Sequence, residues 1–433
     1  MSPITVGLIA FVCLFILITL GTPVGLAMMV IGFSGLLVFL SVPAALSMLT
    51  FIPYETIASY SLSVMPLFLF MANVAFVSGI TRDLYNLASK WLGHQRGGIA
   101  MATVGASAGF AAVSASSIAT AATMGLIAIP EMKRLKYDPG LATGSVAAGG
   151  TIGILIPPSG LLIIYGILTE QSIGQLFVAG VVPGILEAVF YMFTIYLLCL
   201  RKPSLGPRGL KTSFKEKIMA FGGCGEMVAL VLLVLGGLII GWFTPTEAGG
   251  VGAFGAIVFS LLRGRMNWQK FKQALVETML TTGMIYFILI GAFIFNNFLA
   301  LTTIPAQLAN YIGGMQLPPL VIMSLMIGLY IFLGCIMDAF AMILLTIPIF
   351  FPLATSLGFH PIWFGIIIVR VVEMGMITPP IGINVYTIAG VAPDVPMQTI
   401  FKGILPFFVA DIFHVALLLF VPSVILYLPS LMY

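Results

Sequence analysis

The chain has 433 residues, 60% of them hydrophobic and only 7% charged, with a mean hydropathy of +1.17. A soluble domain carries about 25% charge, so this composition describes an integral membrane protein. The formal net charge of +4 comes from loop Lys and Arg with no basic face, which excludes a nucleic-acid partner. Cys13, Cys199, Cys224 and Cys335 stand alone in apolar runs and read as packing thiols. His94, His360 and His414 are scattered and form no local metal cluster, which leaves a membrane-enzyme reading with little support.

The first apolar run has no basic n-region and no small-residue cleavage site, so it reads as a first helix near 4–20 rather than a cleaved signal. Helices are expected near 24–42 and 57–79, with an interfacial amphipathic stretch at about 44–58 between them. Residues 97–130 are apolar, lie between basic clusters at Arg82–Arg96 and Lys133–Lys136, and turn at the small residues "AVSASSIAT". Each half is shorter than the ~20 residues of a spanning helix, and both ends lie beside basic residues, so this is a re-entrant hairpin with its ends in the cytoplasm. A helix follows over 141–168, interrupted by "GILIPPSG", and then a helix at 177–200. Pro157 and Pro158 remove backbone donors and push the preceding residue out of the α region, so the helix unwinds there. Unwound backbone in a membrane is tolerated where it lines a cavity or is buried in protein. A simple proline kink is the plainer alternative.

"GMITPPIG" repeats the broken motif, and 375 minus 153 gives an offset of 222. The same offset pairs Thr22-Pro23 with Thr244-Pro245, Glu55-Thr56 with Glu277-Thr278, Pro130 with Pro352 and Pro139 with Pro361. After one inserted residue, Gly180 matches Gly403. The second copy therefore has helices near 226–243, 249–262 and 275–300, an amphipathic stretch at about 266–280, a hairpin at 319–352, a broken helix at 362–390 and a helix at 404–428. The flanks of the second hairpin, "GGMQLPP" and "LATSLGFHP", carry no Lys or Arg, so it enters from the opposite side. The expected fold is an all-α polytopic membrane protein of two inverted-topology repeats, with about ten crossings, two re-entrant hairpins and two broken helices. That is a transporter architecture. Residues 1–200 form the first repeat (scaffold helices in 1–96), 201–217 a cytoplasmic linker and 218–433 the second (scaffold helices in 226–300). Both termini are expected outside.

Ser114, Ser116, Ser117 and Thr120 at the first tip offer hydroxyl oxygens suited to a small hard cation such as sodium, although small residues also serve close helix packing. Asp338 is the only acid between Glu277 and Glu373, and an ionisable group in a membrane hairpin points to function. Arg370 is available as its partner, as a partner of Glu373 one turn on, or as an attractant for an anionic substrate.

The stretches "PLFLFMANVAFVSGITRDLYNLASKWLG", "SASSIATAATMGLIAIPEMKRLKYDPGLATGSVAAGGTIGILIPPSGLLIIYGILT" and "GMITPPIGINVYTIAG" resemble the large membrane subunit (DctM type) of tripartite ATP-independent periplasmic (TRAP) transporters, over essentially the whole chain. The resemblance implies a sodium-driven importer of organic acids such as C4-dicarboxylates or sialic acids, working by an elevator motion in the bacterial inner membrane. It also implies a small four-helix membrane subunit and a soluble periplasmic substrate-binding protein as partners. At least two sodium ions are implied. One lies between the first tip (Ser114, Ser116, Ser117) and the first loop (Gly150, Thr151, Gly153, Pro157). The other lies between Met337, Asp338, Ala339 and the second loop (Glu373, Gly375, Thr378, Pro379). Substrate is expected between them, at Pro158, Ser159, Pro380 and Asn384, with Arg370 as the attracting charge. Relatives in the wider fold group often carry Ser-Asn-Thr at the tips, whereas here they read Ser-Ala-Ser-Ser and Met-Asp-Ala, so tip contacts to substrate do not transfer. No Gly-rich loop ending in Gly-Lys-Ser/Thr occurs, in keeping with ion coupling and no nucleotide. A stand-alone sodium-coupled organic anion symporter and a membrane enzyme or assembly factor are the competing functions.

Overall fold

The computed structural model describes residues 2–209, 211–314 and 317–432. Leu210 of the linker, and Met315 and Gln316 in the uncharged flank of the second hairpin, lie outside the described residues. The first half runs α1 (Pro3–Thr19), α2 (Val24–Phe39), α3 (Val42–Ala58), α4 (Val64–Val77), α5 (Ile80–Leu92), α6 (Gly98–Ser114), α7 (Ser117–Arg134), α8 (Pro139–Leu155), α9 (Gly160–Thr169) and α10 (Ile173–Arg201). The second runs α11 (Phe214–Ile240), α12 (Pro245–Leu262), α13 (Trp268–Leu301), α14 (Ile304–Gly314), α15 (Pro319–Gly334), α16 (Ala339–Ser356), α17 (Pro361–Met376), α18 (Ile383–Val391) and α19 (Met397–Phe420). Among the described residues, seven helices or joined helix pairs are long and apolar enough to span a membrane, and eight if the bent pair Val42–Ala58 and Ser61–Val77 counts as one. Helix α16, an arm of the second hairpin, is among the seven although the sequence reads it as re-entrant. The apolar α1 and α2, of 17 and 16 residues, and the broken pair α17/α18 are the remaining crossings expected from the sequence.

Each element of one half has a counterpart in the other, with one asymmetry. The amphipathic stretch at 44–58 is a separate helix, α3, bent by 56° from the helical segment Ser61–Val77, whereas 266–280 runs without interruption into the next span as α13. The second amphipathic stretch, expected to lie along the interface, is therefore the first part of a spanning helix. The first copy is broken at "SYSLS", where the Ser63 hydroxyl donates to the Tyr60 carbonyl at 2.5 Å and offers the chain an alternative to helix. Two further helices, α5 and its uncharged counterpart α14, lie where the sequence suggested only loops.

The halves interlock reciprocally. Helix α2 packs on α13 so closely that a Cβ at Gly32 would lie 2.7 Å from Phe295 Cα. Its counterpart α12 packs on α4, the counterpart of the membrane part of α13, with a Cβ at Gly252 falling 2.6 Å from the Met71 sulfur. Small residues at these crossings let the backbones approach, the usual basis of helix association in lipid. Equivalent glycines of α10 and α19 sit at opposite ends of α8. Gly180 abuts the Leu155 carbonyl at its C-terminal end, and Gly403 abuts Gly144 and Gly140 toward its N-terminal end. The two equivalent helices thus approach α8 from opposite ends.

Candidate functional site

Both hairpins turn where the sequence places the small or acidic residues. Helix α6 ends at Ser114, Ala115 takes a left-handed φ of 51°, and Ser116 caps α7 by accepting from the Ala119 amide at 3.3 Å. Thr120 ties this turn together, its hydroxyl 2.6 Å from Ser114 Oγ and donating to the Ser116 carbonyl at 2.8 Å. In the second hairpin the residue equivalent to Ser116, Asp338, caps α16 in the same manner, its carboxylate accepting from the Ala341 amide at 2.9 Å. Among the described residues Asp338 has no ion-pair partner.

The helix pairs α8/α9 and α17/α18 break as the proline pairs require, α8 ending at Leu155 and α17 at Met376. Both Pro-Pro bonds are cis. The first break packs against the first tip: a Cβ at Gly150 would lie 3.1 Å from the Ser117 carbonyl, and one at Gly153 would lie 3.1 Å from the Ser116 carbonyl. The second break meets the second hairpin through Gly375, whose added Cβ would lie 2.5 Å from Gly334 Cα. Each expected tip and loop are therefore neighbours. The halves also cross over, since a Cβ at Gly160 would lie 3.2 Å from the Phe340 ring and 3.7 Å from the Ala115 carbonyl. Both tips converge on the start of α9. Ser117 reaches the other half as well, its hydroxyl 4.0 Å from Met376 Sδ.

The two loops differ in exposure. Ile156, Pro157, Pro158 and Ser159 are all buried, Pro158 against an apolar wall that includes Met71, Leu230 and Val234. Pro379, Pro380 and Ile381 are exposed. Ser159 is engaged as the cap of α9, accepting from the Leu162 amide at 3.3 Å. Thr378 donates to the Met374 carbonyl at 2.6 Å. Asn384 is fully buried, with neither side-chain polar atom partnered among the described residues.

Arg370 is where the structure departs most from expectation. It is fully buried and does not pair with Glu373 or with Asp338. Its guanidinium binds Asp411, lies 3.3 Å from Glu187, donates to the Tyr191 hydroxyl at 3.2 Å, and donates through Nε to His414 Nδ1 at 3.2 Å. Thr151 joins this cluster, donating to Glu187 at 2.8 Å, with its hydroxyl 3.1 Å from that of Tyr191. Its side chain is thus engaged away from the first tip. Four helices meet here, because Glu187 and Tyr191 lie on α10, Asp411 and His414 on α19, Thr151 on α8 and Arg370 on α17, with the second loop continuing from α17. Glu373 is fully buried, and both its carboxylate oxygens are unpartnered among the described residues. Sequence reasoning missed Glu187, Tyr191, Asp411 and His414. The available signal was a lone acid inside each of two predicted spans, 177–200 and 404–428.

A family model described as the DctM component of the tripartite ATP-independent periplasmic transporter matches residues 11–424. The C4-dicarboxylate TRAP transporter large permease protein of Pseudomonas aeruginosa is 35% identical over 403 residues, 92% of this chain and 93% of that protein. The sialic acid TRAP transporter large permease protein of Vibrio cholerae is 32% identical over 381 residues, 87% of each. The isethionate TRAP transporter permease protein of Oleidesulfovibrio alaskensis is 32% identical over 88% of this chain and 59% of its own length. Two solved structures share the fold at low identity. The Alcanivorax borkumensis YdaH transporter has a TM-score of 0.65 at 15% identity, over 87% of this chain and 88% of that one. Neisseria gonorrhoeae MtrF, from a class of antimetabolite efflux pumps, has a TM-score of 0.61 at 16% identity, over 88% and 85%. The chain therefore belongs to the family of the DctM component, the large permease, of tripartite ATP-independent periplasmic transporters.

Proposed function

We propose that this large permease imports an organic acid of the C4-dicarboxylate or sialic acid type across the bacterial inner membrane, coupled to sodium. The observation that carries the reading is the meeting of each hairpin tip with a broken helix, with an oxygen donor, Ser116 or Asp338, at the equivalent cap position. Carbonyl, hydroxyl and carboxylate oxygens form the donor set of a small hard cation. Sodium is then a co-transported substrate, held by Ser114, Ser116, Ser117, Gly150, Thr151, Gly153 and Pro157 in the first half. In the second half it is held by Met337, Asp338, Ala339, Glu373, Gly375, Thr378 and Pro379. Thr151 contributes backbone only, since its hydroxyl is engaged, while Glu373 has both oxygens to offer. The organic acid lies between, at Pro158, Ser159, Pro380 and Asn384, whose buried amide has no protein partner among the described residues. Arg370 acts mainly by fixing the helix that leads into the second loop, because Glu187 and Asp411 offset its charge.

A sealed first loop and an exposed second loop are the asymmetry expected of one end-state of alternating access. In this reading the hairpins and broken helices, with α10 and α19, move as an elevator against the other helices. The similar proteins are named large permeases, which presupposes a smaller one. The partners are accordingly a small membrane subunit and a periplasmic substrate-binding protein, with both termini of this chain in the periplasm. The test is uptake of labelled succinate and N-acetylneuraminate into vesicles containing both membrane subunits. Uptake of one of them that requires an inward sodium gradient and the binding protein is expected. Uptake indifferent to sodium overturns the coupling, and uptake without the binding protein makes the chain a stand-alone symporter.

A further inference from the structure

A second polar recess lies away from the hairpin tips, between α5 and the C-terminal end of α7. It is a trench of about 550 Å³ lined by Arg82, Tyr85, Asn86, Leu126, Ile127, Pro130, Glu131 and Arg134. We infer that this trench binds the phosphate headgroup of an anionic phospholipid from the cytoplasmic leaflet. The assignment rests on the cytoplasmic side read from the basic clusters, and not on the transported substrate or the coupling ion.

Three observations support it. The first is charge. Arg82 has no ion-pair partner among the described residues, and Arg134 meets only Glu131, one turn back at 3.6 Å, with its own side chain 75% exposed. The neighbouring charges are engaged elsewhere, Asp83 with Arg265 and Lys133 with Asp394 at 2.5 Å. Two guanidiniums and one carboxylate thus leave the trench cationic, and guanidinium is the side chain best matched to phosphate. The second is further polar lining. Asn86 is exposed in the same trench and adds an amide donor beside the guanidiniums.

The third observation selects a lipid over a soluble anion. One wall is apolar, formed by Leu126, 65% exposed, with Ile127 and the exposed Pro130. A free phosphate would leave this wall facing water, whereas an acyl chain covers it while its headgroup reaches the arginines. The trench also lies at the basic end of α7, whose last turn carries Lys133 and Arg134, and anionic headgroups attract such Lys and Arg. Because α5 and the hairpin arm α7 form its two walls, a bound lipid would bridge them.

The test uses the full-length protein in nanodiscs of phosphatidylcholine with and without phosphatidylglycerol, with bound lipid counted by native mass spectrometry and stability read by thermal melting. Wild-type protein is expected to retain phosphatidylglycerol selectively and to melt at a higher temperature with it. Arg82→Gln and Arg134→Gln should each weaken retention roughly fivefold, as about 1 kcal/mol per surface cation implies. Arg208→Gln, which removes an exposed linker charge outside the trench, should leave retention unchanged. Should either glutamine variant not fold, Leu126→Glu, which puts a carboxylate on the apolar wall at an exposed position, must also abolish selective retention. Unaltered retention in the arginine or Leu126 variants, or an equal loss in Arg208→Gln, overturns the site. Full competition by inorganic phosphate assigns it to a soluble anion and overturns the lipid.

Discussion

Arg370 shows how far a single side chain can be misread from its neighbours in sequence. Glu373 lies one turn away on the same helix, a spacing that ordinarily favours pairing. The guanidinium instead meets Glu187 and Asp411, on helices far away in the chain. Breaking a fully buried ion pair leaves an uncompensated charge at a cost of about 3–5 kcal/mol. Arg370→Met should therefore lower stability by roughly that amount, measured by unfolding in detergent, and adding Glu187→Gln and Asp411→Asn should recover most of the loss. Equal stability of the single variant would remove the cluster's structural role. The same geometry sharpens the expectation for Asp338. Since Arg370 is not its partner, Asp338→Asn strands no cation. Asn also caps helices about as well as Asp, so the cap to Ala341 survives. The variant should fold normally while uptake requires much more sodium. Unchanged sodium dependence in well-folded protein would remove Asp338 from the coupling site.

At the scale of elements, the hairpins and broken helices depend on different local devices. The tips depend on caps: Ser116 and Asp338 each end one arm's turn by satisfying an orphan amide of the next helix. The breaks depend on Pro157-Pro158 and Pro379-Pro380, which lack backbone donors. Replacing either pair with alanines should let the helix extend through the loop and withdraw carbonyls from the tip. Uptake should then fall, with folded protein recovered at close to normal yield by size-exclusion chromatography. Normal sodium-dependent uptake by both variants would leave the prolines as mere kinks. The glycines facing the tips have a separate role. At Gly375 an alanine Cβ would meet backbone at 2.5 Å, so Gly375→Ala should push the second tip away, and its defect should appear as lost folded protein.

At the scale of the molecule, the duplication makes a prediction about sidedness. Lys133 and Lys136 end the first hairpin, and Ser356 and His360 occupy the corresponding region of the second. The first pair is basic and the second uncharged, so cysteines at Lys133 and Lys136 should label only from the cytoplasm. Cysteines at Ser356 and His360 should label only from the periplasm. Loss of the exposed Lys133–Asp394 pair in one variant costs little, since such pairs contribute about 0–1 kcal/mol. Labelling of both pairs from one side would rule out the inversion. The opposite entry of α10 and α19 onto the ends of α8 favours the expected outcome.

By itself the sequence determined the class, the duplication, the hairpins and the places where helices break. Each of these is written in local chemistry: apolar length, the charge of short loops, and prolines that cannot donate. Prolines and acids kept in register at one offset were legible because chance rarely repeats them, even in so apolar a chain. The tertiary structure alone decided which charges meet. Glu187 and Asp411 are legible only as lone acids in two spans, and what they and His414 bind is decided where α10 and α19 cross beside α17. It also decided that 266–280 continues as one helix, that Thr151 turns to Glu187 rather than to the tip, and that one loop is sealed while its copy is exposed. Those outcomes depend on packing between segments distant in the chain, and in a membrane such packing is governed by shape and buried polar partners that no single segment contains.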